Sequence, residues 1–508
     1  MFKKILSVGG WTLVSRLTGF IRDVVIAAVM GIGPVADAFF VAFRIPNHFR
    51  AIFGEGAFNN AFLPTYAQVL EAESGKAAKS FASRITTLML IVQIALLIVA
   101  FLAMPHVVRL LAPGFSEDPA KFQLAVSLTR ITFPYLLLIT TVTIYSAILN
   151  AHDRFWAAAA APVLLNVTMI AALAVAFLFP NAGYAAAWGV TIAGIFELLL
   201  VWLSARRLGV APRLEKPRGD AAMKRFFKAL GPAIVGSAGV QLAIFADTII
   251  ASFLPTGAVS SLYYADRLYQ LPLGVIGIAA GTVLLPEMSR RIAAGDEASA
   301  YAAQNRTVSL TLALAAPFFV AFLTMPDLIM SALFQRGAFS AEAAQRAGAV
   351  LAAYGLGLPA AVLIRSAVSS FYARSDTTTP LIASLTAVGV NIVVKLLLMD
   401  TYGVVGLAIG TAIGVWANLI LLFVLAYRRG WTAPNRSLGK TSVIVAAASV
   451  LLAAFAWFAP ALLAPWTALL PVWQNETLLG ALGILGAAIY GGVLLAGMKV
   501  IGVRLARR

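Results

Sequence analysis

The sequence predicts an all-α polytopic membrane protein, and three observations carry that prediction. Of 508 residues, 61% are apolar and 12% charged, against roughly 25% charged in ordinary soluble domains. So few charges cannot cover a water-facing surface. About fourteen apolar stretches recur along the chain, most near the ~20 residues that cross ~30 Å of hydrocarbon as helix. Basic residues gather on alternate connections, as membrane topology demands. About 36 residues per span leave short loops and no room for a soluble catalytic domain.

The first span, 5–30, follows the basic start Met1-Phe2-Lys3-Lys4. It resembles a signal peptide, but Arg16, Arg22 and Asp23 interrupt the run where such a segment is cleanest, so it reads as a retained helix. Span 35–56 follows Gly31-Ile32-Gly33-Pro34. Spans 81–103, 122–149, 157–179 and 184–205 come next, the last two parted by Pro180-Asn181-Ala182-Gly183. Spans 227–253 and 259–285 flank Pro255-Thr256-Gly257, another turn-forming break. Spans 307–325, 346–372, 380–399 and 403–426 follow, and 441–463 and 477–499 lie beyond a polar linker from Arg428 to Lys440.

Charge sets the orientation. With the N-terminus cytoplasmic, 24 Lys and Arg residues fall on cytoplasmic segments and four (Arg109, Lys121, Arg336 and Arg346) on the opposite side. Both ends are then inside. This bias accounts for most of the net charge of +17 without nucleic acid. Cysteine is absent and histidine is limited to His48, His106 and His152, which excludes disulfides, thiolate chemistry and a histidine-rich metal cluster. No cofactor is expected.

A faint repeat runs through the chain. Residues 31–64 contain Gly-Ile-Gly-Pro-Val, Ala38-Phe39-Phe40, Arg44, Pro46 and Phe62-Leu63-Pro64; residues 255–286 contain Pro-Thr-Gly-Ala-Val, Leu262-Tyr263-Tyr264, Arg267, Pro272 and Leu284-Leu285-Pro286. It predicts two six-helix lobes related by a pseudo-two-fold, residues 1–210 and 211–427, with spans 13 and 14 in 428–508. In transporters built this way the substrate site lies between the lobes.

Intramembrane charges point to function. Each costs about 2.5–3.5 kcal/mol near mid-membrane unless it meets water, a counter-charge or a ligand. In span 1, Arg16 and Asp23 are seven apart and share a face, with Arg22 pointing elsewhere. In span 2, Asp37, Arg44, Asn47 and Arg50 form a stripe, and Pro46 opens the hydrogen-bond ladder. Span 8 carries Asp266-Arg267. Arg–Asp pairs could simply lock helices together, but arginine is in surplus over Asp23, Asp37, Asp266 and Glu55. An aqueous cavity for an anion is the preferred reading, and the guanidinium fork suits a phosphate or pyrophosphate. A second constellation comprises Asp247 in span 7, Asn391 and Lys395 in span 11 and Thr411 in span 12. Asp247 could hold a cation with the Asn391 and Thr411 oxygens. Lys395 brings its own charge to the same neighbourhood, so an Asp247–Lys395 ion pair is preferred. No partner can be assigned to Arg365.

These residues carry a family resemblance. Ser15-Arg16-Leu17-Thr18-Gly19-Phe20-Ile21-Arg22-Asp23, Asp37-Ala38-Phe39-Phe40-Val41-Ala42-Phe43-Arg44-Ile45-Pro46-Asn47 and Gly54-Glu55-Gly56-Ala57-Phe58 resemble the MurJ (MviN) lipid II flippases, as do Tyr263-Tyr264-Ala265-Asp266-Arg267-Leu268 and Gly281-Thr282-Val283-Leu284-Leu285-Pro286. The resemblance covers essentially the whole chain. It implies the fold of the multidrug/oligosaccharidyl-lipid/polysaccharide exporter superfamily. It also implies movement of lipid II, an undecaprenyl-pyrophosphate-linked disaccharide-pentapeptide, from the inner to the outer leaflet of the bacterial cytoplasmic membrane for cell wall synthesis. Carried over to this sequence, the cavity residues are Arg16, Arg22, Arg50 and Arg267, with Ser15, Asp23, Asp37, Asn47 and Ser260 nearby. Spans 13 and 14 would form an apolar groove for the lipid tail. Implied partners are lipid II, membrane lipids and proteins of cell wall synthesis or division. Two positions depart from relatives: Gln270 stands where some have an acid, and Lys395 where some have an acidic sodium ligand. The sodium site is therefore not carried over, and membrane potential becomes the expected drive.

Rival readings differ in what they require. A drug or cation antiporter of the same fold needs an acidic cavity. A flippase for another polyprenyl-pyrophosphate glycan shares the pyrophosphate and cannot be separated by charge. A membrane glycosyltransferase or acyltransferase needs a catalytic Asp, Glu or His in a sizeable polar loop, so no enzymatic activity is expected.

Overall fold

The computed structural model describes residues 2–50, 57–467 and 473–502. The described chain is helical nearly throughout, in two compact units, Met1–Ser260 and Ser261–Arg508.

Among the described residues, ten helical stretches are long and apolar enough to cross a membrane. One of them, Thr378–Arg428, breaks at Gly403, whose φ of 54° and ψ of −131° suit only a residue without a side chain, so it provides two crossings. Spans 1, 2 and 7 of the sequence fall on helices outside this set, Phe2–Met30, Pro34–Arg50, which has only 17 residues, and Ala221–Ser252, and spans 1 and 2 are the two richest in intramembrane charge. The fourteen crossings that the sequence predicts require these three helices to span the membrane as well.

In the first unit, α1 (Phe2–Met30) leads into α2 (Pro34–Arg50) and α3 (Ala57–Ala72). Next come α4 (Gly75–Leu102), the short α5 (Met104–Leu111), α6 (Pro119–Thr132) and α7 (Tyr135–Ala151). The last two make one crossing interrupted at Pro134, which lacks the N–H needed to continue the ladder. α8 (Trp156–Ala174), α9 (Ala182–Arg207) and α10 (Ala221–Ser252) complete the set. Polar residues start the helices by accepting from otherwise orphaned N–H groups: Ser74 caps α4, Asp118 α6, Asn181 α9 and Asp220 α10.

Two packing features organise this unit. An aromatic cluster joins Phe58, Phe62 and Tyr66 of α3 to Phe81 of α4 and Phe226 of α10, with Phe58 and Phe62 stacked at 5.4 Å between ring centres. Through it α10, span 7 of the sequence, packs on α3. The basic linker 208–220 is strapped along α4: Ser83 and Thr87 hydroxyls each accept a backbone N–H at 3.0 Å, from Arg213 and Glu215, and Arg84 pairs with Asp220. Further along α4, Ile91, Ile98 and Val99 are about half exposed, as expected of a surface whose solvent is lipid.

The second unit runs through α11 (Ala258–Pro272), whose first three residues belong to the first unit, and α12 (Ile278–Ala293), joined by a π-helical turn at Leu273–Gly277. It continues with α13 (Glu297–Thr324), α14 (Pro326–Phe334), α15 (Ala341–Tyr372) and α16 (Thr378–Arg428). The closing pair, α17 (Arg436–Thr467) and α18 (Gln474–Ile501), packs on α13 through Ala313, Ala316, Val445, Leu452 and Tyr490. The Tyr490 hydroxyl donates to the Ala313 carbonyl at 2.8 Å, a contact that only close helix approach permits. The interruptions of the second copy of the sequence repeat thus include a π turn, which marks functional sites in many helices.

Candidate functional site

The first cluster lies on α1 and α8. Arg22 is 6% exposed and Asp23 3%. The Arg22 Nε and Nη2 atoms donate to Asp23 Oδ1 at 3.0 and 2.7 Å, while Nη1 donates to Asn166 Oδ1 at 2.9 Å. The Asn166 amide then donates to the Ser15 carbonyl at 3.0 Å and the Thr18 hydroxyl at 3.1 Å. One buried guanidinium thereby spends its fork on a carboxylate and a neutral amide, the planar geometry that arginine provides and lysine does not. The sequence pairs Asp23 with Arg16 along one face. In the structure the long Arg22 side chain folds back onto its own neighbour, and Arg16 is exposed on α1. Among the described residues no carboxylate pairs with Arg16 or Arg44, and Arg44 is half-buried on α2. Asn47, about one turn beyond Arg44, is half-buried, whereas the side chain of Arg50 and the whole of Glu55 lie outside the described residues.

The second cluster is built around Asp37, which is fully buried. Its carboxylate accepts from Gly257 N at 2.7 Å, Ser260 N at 2.8 Å and Ser260 Oγ at 2.7 Å, and pairs with Lys121 Nζ at 3.1 Å. Asp37 therefore caps the start of α11 in place of that helix's own residue. Lys121, read from sequence as an ordinary loop lysine, sits 4.0 Å above the Phe115 ring with its side chain 5% exposed. Four donors thus satisfy the buried carboxylate.

In the second unit, Arg267 is half-buried on α11, its Nη2 donating to the Tyr263 hydroxyl at 2.9 Å with the guanidinium 4.9 Å from that ring's centre. Gln270 is exposed and donates weakly, at 3.4 Å, to Asp266. Lys395 is 1% exposed on α16. Its stem fits because Gly410 faces it: a Cβ there would stand 2.5 Å from Lys395 Cγ. Asn391 packs in the same way against Gly414, and the Thr411 hydroxyl donates to its own helix at Leu407. Asp247 lies half-buried on α10 of the first unit. Arg365, on α15, is exposed, and its stem runs past Gly277 and Gly281 beside the π turn.

Sequence reasoning missed Asn166, Lys121 and Glu197. Glu197 is 1% exposed on α9, accepts from the Tyr135 hydroxyl at 3.0 Å and borders a cavity of about 190 Å³ with Asn59, Thr143, Ser146 and Asn150. A single acid in an otherwise uncharged span was the available signal. For Asn166 none existed, since its role appears only when α8 meets α1.

Arginines held in apolar helices by carboxylates, amides and tyrosine are chemically suited to engage an anion, and similarity to known proteins gives that chemistry a context. Residues 26–473 match the family model described as "Lipid II flippase MurJ". A protein of Rhizobium meliloti (strain 1021) described as a probable lipid II flippase MurJ is 43% identical over 460 residues, 89% of this chain and 86% of that one. The lipid II flippase MurJ of Burkholderia cenocepacia is 34% identical over 507 residues, 97% of both chains. Among solved structures, a lipid II flippase MurJ in an inward closed conformation superposes with a TM-score of 0.79 at 24% identity, covering 97% of this chain and 98% of that one. An inward-facing multidrug resistance MATE transporter of the MOP superfamily matches at 0.65 and 15% identity over 82% of this chain and 94% of its own. These two structures share the fold of this chain. With the family model spanning most of its length, the chain belongs to the lipid II flippase MurJ family.

Proposed function

We propose that this protein moves lipid II from the inner to the outer leaflet of the bacterial cytoplasmic membrane by alternating access, and that it catalyses no covalent reaction. The observation that carries the reading is the buried guanidinium of Arg22, held in position by Asp23 and Asn166 inside a membrane helix. Such a charge is costly in hydrocarbon, and a pyrophosphate would engage it by exchanging with the Asp23 and Asn166 oxygens that hold its fork.

In this reading Arg16, Arg22, Arg50 and Arg267 replace the hydration the pyrophosphate loses, with Ser15 and Asn47 as neutral donors. Asp23 keeps Arg22 oriented between substrates. Asp37 and Ser260 act one step away, by fixing the start of α11, the helix that bears Arg267. Binding must capture the head group and still release it. A partly neutralised arginine meets that need better than a bare one. The lobes implied by the repeat, 1–210 and 211–427, would be the moving parts, with 428–508 guiding the lipid tail.

Lys395 supplies a fixed positive charge where an ion would otherwise have to bind, which leaves membrane potential as the drive. A Lys395→Met variant, which keeps the stem's volume, should transport poorly when present at wild-type levels; unchanged transport would remove this role. Both termini are assigned to the cytoplasm by the basic-residue bias. Proteins of cell wall synthesis or division are the candidate partners.

The decisive test is depletion in cells followed by leaflet-resolved measurement of lipid II. Wild-type protein should restore the outer-leaflet pool, while Arg22→Ala and Arg267→Ala, present at normal levels, should not.

A further inference from the structure

Glu197 is the single acid of α9, near the middle of that 26-residue helix and 1% exposed. Its carboxylate accepts from the Tyr135 hydroxyl at 3.0 Å. Tyr135 is the first residue of α7, directly after the interruption at Pro134. Its ring lies close on α9 because Gly194, about one turn from Glu197, has no side chain: a Cβ there would stand 2.7 Å from Tyr135 Cδ2.

A cavity of about 190 Å³ runs from Glu197 to the far end of α7. Thr143, Ser146 and Asn150 line it from one face of α7, roughly two, three and four turns beyond Tyr135, and Asn59 of α3 joins them. The space holds several waters. The Thr143 hydroxyl donates to the Ile139 carbonyl at 2.9 Å and keeps its lone pairs for an incoming donor. Asn150 Oδ1 is buried and accepts from no described group, a need that water in the cavity would meet. Beyond Asn150 the chain turns through the exposed Asp153 and Arg154, on the side that the basic-residue bias assigns to the cytoplasm.

The placement of these oxygens selects the ligand. From Thr143 to Asn150 they are strung over roughly 10 Å of helix and do not gather around the acid. A metal ion needs oxygens that converge on one point, whereas a file of water needs them spaced along a line. An acid deep in a membrane helix, at the end of such a file, is placed as proton relays are. Among the described residues on the helices packed against α9, α8 brings no titratable group and α7 brings Tyr145 besides Tyr135. On α1, α2 and α6, Arg22 pairs with Asp23 and Lys121 with Asp37, Arg16 and Arg130 are exposed, Arg44 is half-buried, and His48 rests against Phe245. None of these lines the cavity.

We propose that Glu197 is a proton-binding site, loaded along a water file that enters between Asn59 and Asn150. In the loading step a hydronium ion gives its proton to a carboxylate oxygen, leaving a water and a neutral carboxyl. Tyr135 orients the acid. The site touches no cargo, so the proposal stands or falls independently of what is transported.

The test is infrared difference spectroscopy of the full-length protein in nanodiscs, titrated from neutral to acid pH. A band from a protonated carboxyl shielded from bulk water should appear, shift when the protein carries isotope-labelled glutamate, and vanish in Glu197→Gln. Tyr135→Phe should keep the band and move it to higher frequency, because the hydrogen bond to it is lost; this reading holds even where Glu197→Gln folds poorly. Deuterium exchange at the carboxyl should be about tenfold slower in Ser146→Leu, whose side chain leaves no room for water. A band that never titrates, one that survives Glu197→Gln, exchange unaffected by Ser146→Leu, or a titration that moves with sodium concentration would each overturn the proposal.

Discussion

Asp37 and Ser260, 223 positions apart in the chain, meet through two hydrogen bonds of 2.8 and 2.7 Å from the serine's N–H and hydroxyl to one carboxylate oxygen. The other oxygen takes Gly257 N–H and the Lys121 ammonium. Because both charges are buried, removing one leaves the other uncompensated. Asp37→Asn should therefore destabilise the protein by about 3–5 kcal/mol, and its amide would also turn a donor towards donors. The double variant Asp37→Asn, Lys121→Met should recover much of that loss. Thermal melting of the purified variants in detergent measures both, and additive losses would refute the coupling.

Arg22 uses three N–H groups on two acceptors, which a lysine cannot reproduce. Arg22→Lys should accordingly fail to restore lipid II movement even though charge is preserved. Asn166→Ala should leave a buried N–H without its partner, lowering stability by about 1–3 kcal/mol and weakening transport. Complementation of depleted cells, with protein levels checked, separates the two effects.

Gly403 holds φ at 54° and ψ at −131° between the two crossings of α16. A Cβ there meets no neighbouring atom, so any penalty for Gly403→Ala comes from the backbone alone and should be on the order of 1–3 kcal/mol. A melting temperature unchanged from wild type would show that the break can relax without glycine.

His152 follows the end of α7 and lies 3.0 Å from the Tyr66 hydroxyl. Burial lowers its pKa from the ordinary value. The unfolded chain then takes up a proton more readily than the native one, so stability should fall as pH drops through the usual histidine range of about 6.5 towards the lower native value. His152→Gln should flatten that part of the melting profile. An identical slope in the variant would assign the dependence to other groups.

Much of the fold was legible in the sequence because membrane burial imposes a simple rule: a spanning segment must be apolar for its full length and satisfy its own backbone. That rule alone located most of the crossings and their order, and the cost of intramembrane charge singled out Arg22, Asp37, Arg267 and Lys395. Partnership could not be read this way. Arg22 turned to Asp23 and to Asn166, and Lys121 left its expected loop role for Asp37, because a side chain's partner is set by which helices become neighbours. That is decided by packing across hundreds of residues, where local periodicity carries no information. The sequence determined which charges would have to be accommodated within the membrane, and only the tertiary structure decided what accommodates them.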